Sequence, residues 1–568
     1  MTREENPRRN QTTPDTAPEA SVPPVTPPSS EPGSPPDDDP GSLGVGAETQ
    51  GGVEGTAQDD TYVARVARGA GISTAGQGAG RVLGYATQSA LARGLGRESF
   101  GLYTLGVAVV TAAQIISQFG LDNGVVRYVA HYRAQGDTAR VRGTILQAVG
   151  LTFAFSLVVA VAIFFGAGTI AGFFDPDLEP VVRAFAFAVP FFALMSIICW
   201  ATQGFQTVAY ATYTQQILRP LIYLLLVIGV YFVGASLVGV VAAYVISMAL
   251  GVLIGLFFLR RLFPPLLNFR TRPKFETRAL FGVSVPMSVS RATQYANNWT
   301  AILVLGIFQP AGVVGLFQAA FRTATFATLV RFAFNGIFSP IISNLHAQEN
   351  TEDLGRLYKD VTRWTFTGAF AIFLLIVLLT SEILTVFGGK EYAAGATALI
   401  IVAFAQLFST SVGPANRMLA MTDNQTVLMI ITTIGALTGV AVCFALIPDF
   451  GMIGAAIGAA AAILTENTAT LIFVRRRLGF WPYNLVFWKP LAAGLLAAAL
   501  AYAVKVLLAL PGLLLTVGAV AAVFGISFLA LLLLFGLNDT DREFLGAFRD
   551  VALRSLRRVR RSRGESRG

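Results

Sequence analysis

Arg81 and Tyr85 stand four residues apart inside a long apolar stretch, and Arg291 and Tyr295 repeat the spacing in another. On a helix that spacing puts both side chains on one face, so each stretch offers a guanidinium and a phenol at similar height. Arg322 lies in the middle of a third stretch, with Arg331 nearer its end, and Gln77, Gln88, Gln114, Gln294, Asn297 and Asn298 add neutral hydrogen-bonding groups. A cation at the centre of a bilayer costs about 2.5–3.5 kcal/mol even on a lenient scale. A wet cavity holding a phosphate-bearing ligand would account for these arginines, because guanidinium forks take phosphate oxygens two at a time and lysine does so less well. Buried acids are the alternative, but only Asp122, Glu382 and Glu466 are placed to serve, enough for one or two pairings. The expected substrate-binding set is Arg81, Arg291, Arg322, Tyr85, Tyr295, Gln88, Gln294 and Asn298. Glu466 has two readings, a proton or cation coupling site and a helix-packing ion pair. Arg183, Arg219 and Arg417 fall near helix ends, where long side chains reach the interface. Gly76, Gly80 and Gly84 have the small-residue spacing of close helix packing, with a flexible gating helix as the other reading.

The elements that must position these groups are membrane helices. Of 568 residues 54% are hydrophobic and 13% charged, with mean hydropathy +0.61; a soluble surface needs roughly 25% charged residues. Fourteen apolar stretches run near 69–91, 100–121, 143–166, 180–202, 213–234, 236–259, 279–307, 311–337, 364–387, 394–414, 426–447, 451–474, 488–510 and 512–536. Stretches of about 20 residues suffice to cross a hydrocarbon core of about 30 Å. One alternating set of loops carries Arg127, Arg133, Arg140, Arg142, then 260–278, 356–363 and 475–489 with their arginines and lysines; the other set is short and poor in cations. The positive-inside rule puts the first set, and both termini, in the cytoplasm of a cell-membrane protein. Arg93 and Arg97 alone run against the trend.

A repeat divides the chain. Gly101-Leu-Tyr103 is echoed by Gly315-Leu-Phe317, and His131-Tyr-Arg-Ala-Gln135 by His346-Ala-Gln348, at offsets near 213 residues. Six spans per copy give parallel topology, a pseudo-twofold axis along the membrane normal, and a cavity between two bundles. The expected organisation is an acidic, Pro-rich, disordered tail over 1–60; an N-lobe over 61–270, opened by a short surface helix at 61–68; a C-lobe over 271–478; two extra spans over 479–537; and a basic amphipathic helix over 538–568. That last helix starts at the capping box Thr540-Asp-Arg-Glu543 and suits an anionic inner leaflet.

Enzyme signals are missing. There is no Walker A sequence, no nucleophile elbow, and no large outer loop to house glycosyl transfer. Cys199 and Cys443 lie inside apolar stretches and His131 and His346 at helix ends, so neither a disulfide, a metal site nor any other cofactor is expected. The net charge of +9 reads as cytoplasmic loops, not as nucleic-acid binding.

Arg97-Glu-Ser-Phe-Gly-Leu-Tyr103, Phe119-Gly-Leu121 and Arg127-Tyr-Val-Ala-His-Tyr-Arg133 resemble the polysaccharide transporter branch of the multidrug/oligosaccharidyl-lipid/polysaccharide exporter superfamily, over roughly residues 62–545. The resemblance implies an all-α, fourteen-helix, two-lobed fold that flips polyprenyl-pyrophosphate-linked oligosaccharides to the outer leaflet. It places the family's cationic cavity on Arg81, Arg291 and Arg322. Many members carry an aspartate in span seven, where this chain reads Asn297-Asn298-Trp299-Thr300. The expected partners are a lipid-linked oligosaccharide, membrane lipids and glycan-assembly enzymes, with the protein itself a monomer. The competing readings are a lipid II flippase, a cation-coupled drug antiporter of the same fold, a membrane scaffold and a membrane glycosyltransferase.

Overall fold

The structure, a computed structural model, describes residues 54–536 apart from 235, 268–271, 423 and 509–510. Residues 1–53 of the tail expected over 1–60, and the basic helix expected over 538–568, lie outside the described residues. The described residues form helices and no strand. In chain order these are α1 (Glu54–Gln118), α2 (Leu121–Ala134), α3 (Thr138–Gly172), α4 (Glu179–Ala186), α5 (Ala188–Gln203), α6 (Ala209–Thr212), α7 (Arg219–Gly234), α8 (Leu237–Leu262) and α9 (Thr277–Phe308). They continue as α10 (Ala311–Ala324), α11 (Leu329–Ala347), α12 (Thr351–Leu378), α13 (Thr380–Gly388), α14 (Ala396–Ser411), α15 (Ala415–Met421), α16 (Gln425–Phe473), α17 (Trp488–Leu508) and α18 (Leu513–Leu534).

Among the described residues ten helices are long and apolar enough to cross a membrane, or eleven if the α4–α5 pair, bent by 48°, counts as one span. Two of the ten are too long for a single straight crossing at 1.5 Å per residue: α1 has 65 residues and α16 has 49. Each breaks at a glycine with positive φ, Gly96 at 76° and Gly451 at 50°. A side chain there would meet the carbonyl clash that keeps L-residues out of left-handed backbone. The stretches 69–91 and 100–121 are thus the two arms of α1, and 426–447 and 451–474 those of α16.

Two local expectations are corrected. The helix expected at 61–68 is not separate, because it is part of the first arm of α1, which begins at Glu54 and ends at the break at Gly96. The segment read as a loop after 121 contains α2, which buries Val125, Val129 and Tyr132 on one face and leaves its arginines outside the core. Gly120 in left-handed conformation turns the chain into it.

The two ends of the bundle are packed differently. Where Gly101 and Gly315 lie, one apolar core draws on both repeat copies: Phe100, Tyr103 and Phe185 belong with Phe317, Phe387 and Tyr392. A Cβ on Gly101 would fall 1.7 Å from the Ala311 carbonyl oxygen, and one on Gly315 would fall 2.3 Å from that of Arg97. Ala311 stands to Arg97 as Gly315 stands to Gly101, 214 residues further on in each case. The contact is therefore reciprocal, as across a twofold axis. At the opposite end, where the basic loops gather, the cores are separate. One holds Leu121, Val129, Ile145, Ile197 and Phe263, with Leu280 of α9 reaching in from the second copy; the other holds Phe338, Tyr358, Met418 and Leu471. A further core joins α17 and α18 to α12 through Phe370, Ala497 and Phe524.

Candidate substrate cavity

Between the fused end and the divided end lie two adjoining chambers of about 560 and 310 Å³. The larger is lined by Arg291, Arg322, Gln88, Gln294, Tyr295 and Asn298 from the expected set; the smaller by Arg81, Tyr85, Arg322, Gln88 and Asn298. Arg322, Gln88 and Asn298 face both. All eight expected residues therefore line one continuous polar region. Four arginines line it, counting Arg219, against one carboxylate, Asp122.

The three candidate acids have different fates. Asp122, in the first turn of α2 and 2% exposed, pairs with Arg291 at 2.5 Å; the Arg291 guanidinium also lies over the Trp200 ring, 4.9 Å from its centroid. Arg291 is thus already held by a carboxylate, one of the pairings for which the few buried acids sufficed. Arg81 donates to Thr328 Oγ1 at 3.3 Å. Glu382 pairs with Lys505 of α17 at 2.7 Å, fastening the last two helices to α13 and serving no cavity arginine. Glu466 accepts from Asn416 Nδ2 at 3.0 Å. Arg322 has no ion pair among the described residues, and its Nε is buried without a hydrogen-bond partner. Arg331 lies outside both chambers, donating to Ser409 Oγ at 2.8 Å.

The two tyrosines do less for a ligand than their spacing promised. Tyr85 Oη is hydrogen-bonded to Thr323 Oγ1 at 3.1 Å, and Tyr295 Oη donates to the Ala108 carbonyl at 2.9 Å. Both phenols tie one repeat copy to the other, and what they present to the chambers is chiefly ring. Asn298 spends one amide hydrogen on the Gln294 carbonyl at 2.7 Å, leaving its oxygen for the cavity.

Arg219 was expected at a helix end reaching the interface, and the structure corrects this: it lines the larger chamber. The cause is a π-helical turn over Tyr213–Leu218, immediately before α7. Pro220 has no N–H for the Gln216 carbonyl, and its ring crowds that oxygen in an ordinary α-turn. Widening the turn relieves the clash and swings Gln215, Gln216 and Arg219 inward together. A proline four residues after Gln216 was the one sequence signal available. The glycine series has a split role. Gly76 and Gly80 let α1 touch this segment, since a Cβ would lie 2.1 Å from Thr212 Cγ2 and 2.7 Å from the Gln216 carbonyl; Gly84 faces open space in both chambers.

A third cavity, of about 420 Å³, adjoins through Gln294 and Asn298 and contains Glu466, Asn297 and Asn416. Asn297 Oδ1 and Asn416 Oδ1 are buried there without donors. No cluster of three or more His, Cys, Asp or Glu residues able to hold a metal occurs among the described residues.

Comparisons with known proteins agree with this architecture. The polysaccharide biosynthesis protein family model matches residues 66–346, and the MatE model matches 286–445. Stage V sporulation protein B of Bacillus subtilis is 24% identical over 404 residues, covering 66% of this chain and 77% of its own. The probable flippase AglR of Haloferax volcanii is 27% identical over 186 residues, 31% of this chain and 37% of its own. Among solved structures, the lipid II flippase MurJ in an inward closed conformation superposes with a TM-score of 0.63 at 13% identity, over 79% of this chain and 96% of that one. An inward-facing multidrug resistance transporter of the MATE family gives 0.56 at 16% identity, over 70% and 94%. These likenesses show the fold. The two family models, which together run from residue 66 to 445, place the chain in the polysaccharide transporter family of the multidrug/oligosaccharidyl-lipid/polysaccharide exporter superfamily.

Proposed function

We propose that this protein is a flippase that carries a polyprenyl-(pyro)phosphate-linked oligosaccharide from the cytoplasmic to the outer leaflet by alternating access. One observation carries the reading: four arginines line the central chambers and a single carboxylate answers them. A cationic drug would be repelled there, which disfavours the antiporter reading; an anionic phosphate headgroup is what the site lacks. Relatives named as flippases, including a probable low-salt glycan biosynthesis flippase, Agl15, of Haloferax volcanii, support the transport class.

The membrane plan follows from the helices. Counting both arms of α1 and of α16, the bent α4–α5 pair, and α9, whose Arg291, Gln294, Asn297 and Asn298 lower its hydropathy, gives fourteen spans in two six-helix lobes plus α17 and α18. The basic end faces the cytoplasm by loop charge, with both termini. In the mechanism, Arg322 and its neighbours hold the phosphates, Gln88, Gln294 and Asn298 meet sugar hydroxyls, and the lipid tail stays in the bilayer between the lobes. An inside-negative potential favours outward movement of the anion by about 2.3 kcal/mol per charge per 100 mV. Glu466 is the proposed coupling position: its carboxylate and the two unsatisfied amide oxygens offer an all-oxygen setting for a cation or proton.

The test is reconstitution with a fluorescent lipid-linked sugar and a membrane-impermeant quencher. Arg322→Gln should abolish protected-to-accessible transfer at normal expression and fold. Undiminished transfer in that variant rejects the site, and a wild-type protein that moves no lipid-linked sugar rejects the function.

A further inference from the structure

We propose that Arg219 is one arm of a two-sided phosphate clamp whose other arm is Arg322, and that the π-helical turn before it sets its aim. The inference rests on the flippase reading above and deepens it by adding a residue to its site.

Arg219 comes from the first repeat copy and Arg322 from the second, yet both line the 560 Å³ chamber, as does Tyr103 with its hydroxyl. That hydroxyl is fixed by Tyr223, which donates to it at 2.9 Å. Neither arginine has an ion pair among the described residues, and in both the Nε is buried without a hydrogen-bond partner. Nε and the neighbouring Nη form the edge of the guanidinium that takes a carboxylate or phosphate bidentately. The rest of the Arg219 guanidinium meets only neutral groups: Nη1 lies 3.8 Å from Met248 Sδ, a weak acceptor, and the Tyr244 hydroxyl is a hydrogen-bond neighbour.

Arg291 makes a useful contrast. It shares the chamber, but Asp122 occupies it. Arg219 and Arg322 are held in place without such a carboxylate. The scaffold around Arg219 is costly in its own right, since the π-turn gives up regular α-geometry and Gly80 is needed so that α1 can pass the displaced Gln216 carbonyl. A turn whose result is to swing a cation into a chamber is explained by an anion that arrives there. Because the arms belong to different halves, an oxyanion held between them would bind the halves to each other.

The experiment uses the purified full chain in detergent and two probes, inorganic pyrophosphate and farnesyl diphosphate, titrated calorimetrically. Arg219→Gln and Arg322→Gln should each weaken both probes at least about 10-fold, equivalent to 1.4 kcal/mol. Arg219→Lys should fall between, because it keeps the charge and loses the fork. Arg219→Gln binding within two-fold of wild type, beside a weakened Arg322→Gln, overturns the clamp and leaves the flippase reading standing. A loss confined to farnesyl diphosphate also overturns it, since Arg219 would then read something other than phosphate. A wild-type protein that binds neither probe overturns the underlying reading. In the unaltered chain, phenylglyoxal labelling followed by peptide mass spectrometry gives an independent check: pyrophosphate should protect Arg219 and Arg322 together. Protection of Arg322 alone rejects the clamp even if no neutral Arg219 variant folds.

Discussion

At the fused end the halves meet through apolar side chains and bare backbone: Phe100 packs edge-on against Phe387 and at a tilt against Tyr392, and Gly101 and Gly315 bring two helix backbones into contact. At the basic end the two cores are separate and the halves meet along one seam, where Leu280 of α9 enters the core of α2 and a Cβ on Gly120 would fall 2.1 Å from the Ser284 carbonyl oxygen, with polar links beside it. Asp122 reaches Arg291, Arg140 reaches Glu276 at 2.9 Å, and Gln147 donates to Thr277 at 2.6 Å. Apolar burial of this kind is non-directional and strong per unit area, whereas polar links survive a change of partner, because water or an anion can replace either member. The fused end joins the halves chiefly through apolar packing and bare backbone; the basic end adds ion pairs and hydrogen bonds to a smaller seam of the same kind.

The largest effect should come from attacking the fused end at its closest approach. Gly101→Leu puts a side chain where the Ala311 carbonyl already stands. Overpacking of this kind costs about 1–3 kcal/mol, and here the backbone itself must move. Transport should fall to background. A Leu105→Cys reporter, buried in the wild-type core, should become reactive to an impermeant maleimide. If the reporter stays silent in the Gly101→Leu background, the crossing does not close that end.

How much of this was open to a reader of the sequence depends on whether the controlling interaction is local. α3, α8 and α18 each contain a long uninterrupted apolar run, and their spans could be placed from hydropathy alone. The glycine crossing could be matched as a repeat, but that Gly101 and Gly315 touch could not, because nothing local encodes a partner 214 residues away. Arg81, Arg291 and Arg322 were conspicuous because polarity inside an apolar run is a local anomaly. Arg219 was hidden because its direction depends on a π-turn, and a periodicity of 3.6 sends it elsewhere. Asp122 was recognised as one of few available acids, yet its choice of Arg291 over the other arginines is a tertiary fact.

A smaller effect is expected at the basic end. Asp122→Asn leaves Arg291 facing Trp200 without its carboxylate. Breaking a fully buried pair costs about 3–5 kcal/mol; Arg291 is 31% exposed, so a loss of about 2 kcal/mol is expected after solvent screening. The double variant Asp122→Asn with Arg291→Gln should regain part of that stability, because no lone charge is left behind. Thermal unfolding in detergent measures the cycle. Strictly additive losses would mean the pair does not couple, and the contrast between the ends would lose its polar half.

The smallest effect should come from the arginines whose loop placement ran against the charge pattern. Arg93 gives Nη2 to the Val386 carbonyl at 2.6 Å and Nε to the same oxygen at 2.9 Å, next to Ser89 Oγ on the Phe387 carbonyl at 2.8 Å. These are the last carbonyls of α13, which have few partners within the helix and carry its negative dipole end. Arg97 adds a pair with Glu391 at 3.6 Å, between two exposed side chains. Arg93 therefore answers a helix terminus and Arg97 a nearby carboxylate, local partners that account for two cations on the side otherwise poor in positive charge. Arg93→Gln should cost about 0.3–1 kcal/mol, lowering the unfolding temperature slightly and leaving transport within about two-fold of wild type, since the aromatic core and the glycine crossing beneath it remain. A collapse of transport on Arg93→Gln with the fold preserved would show that the seal depends on this polar cap and not on apolar packing, reversing the assignment of roles between the two ends.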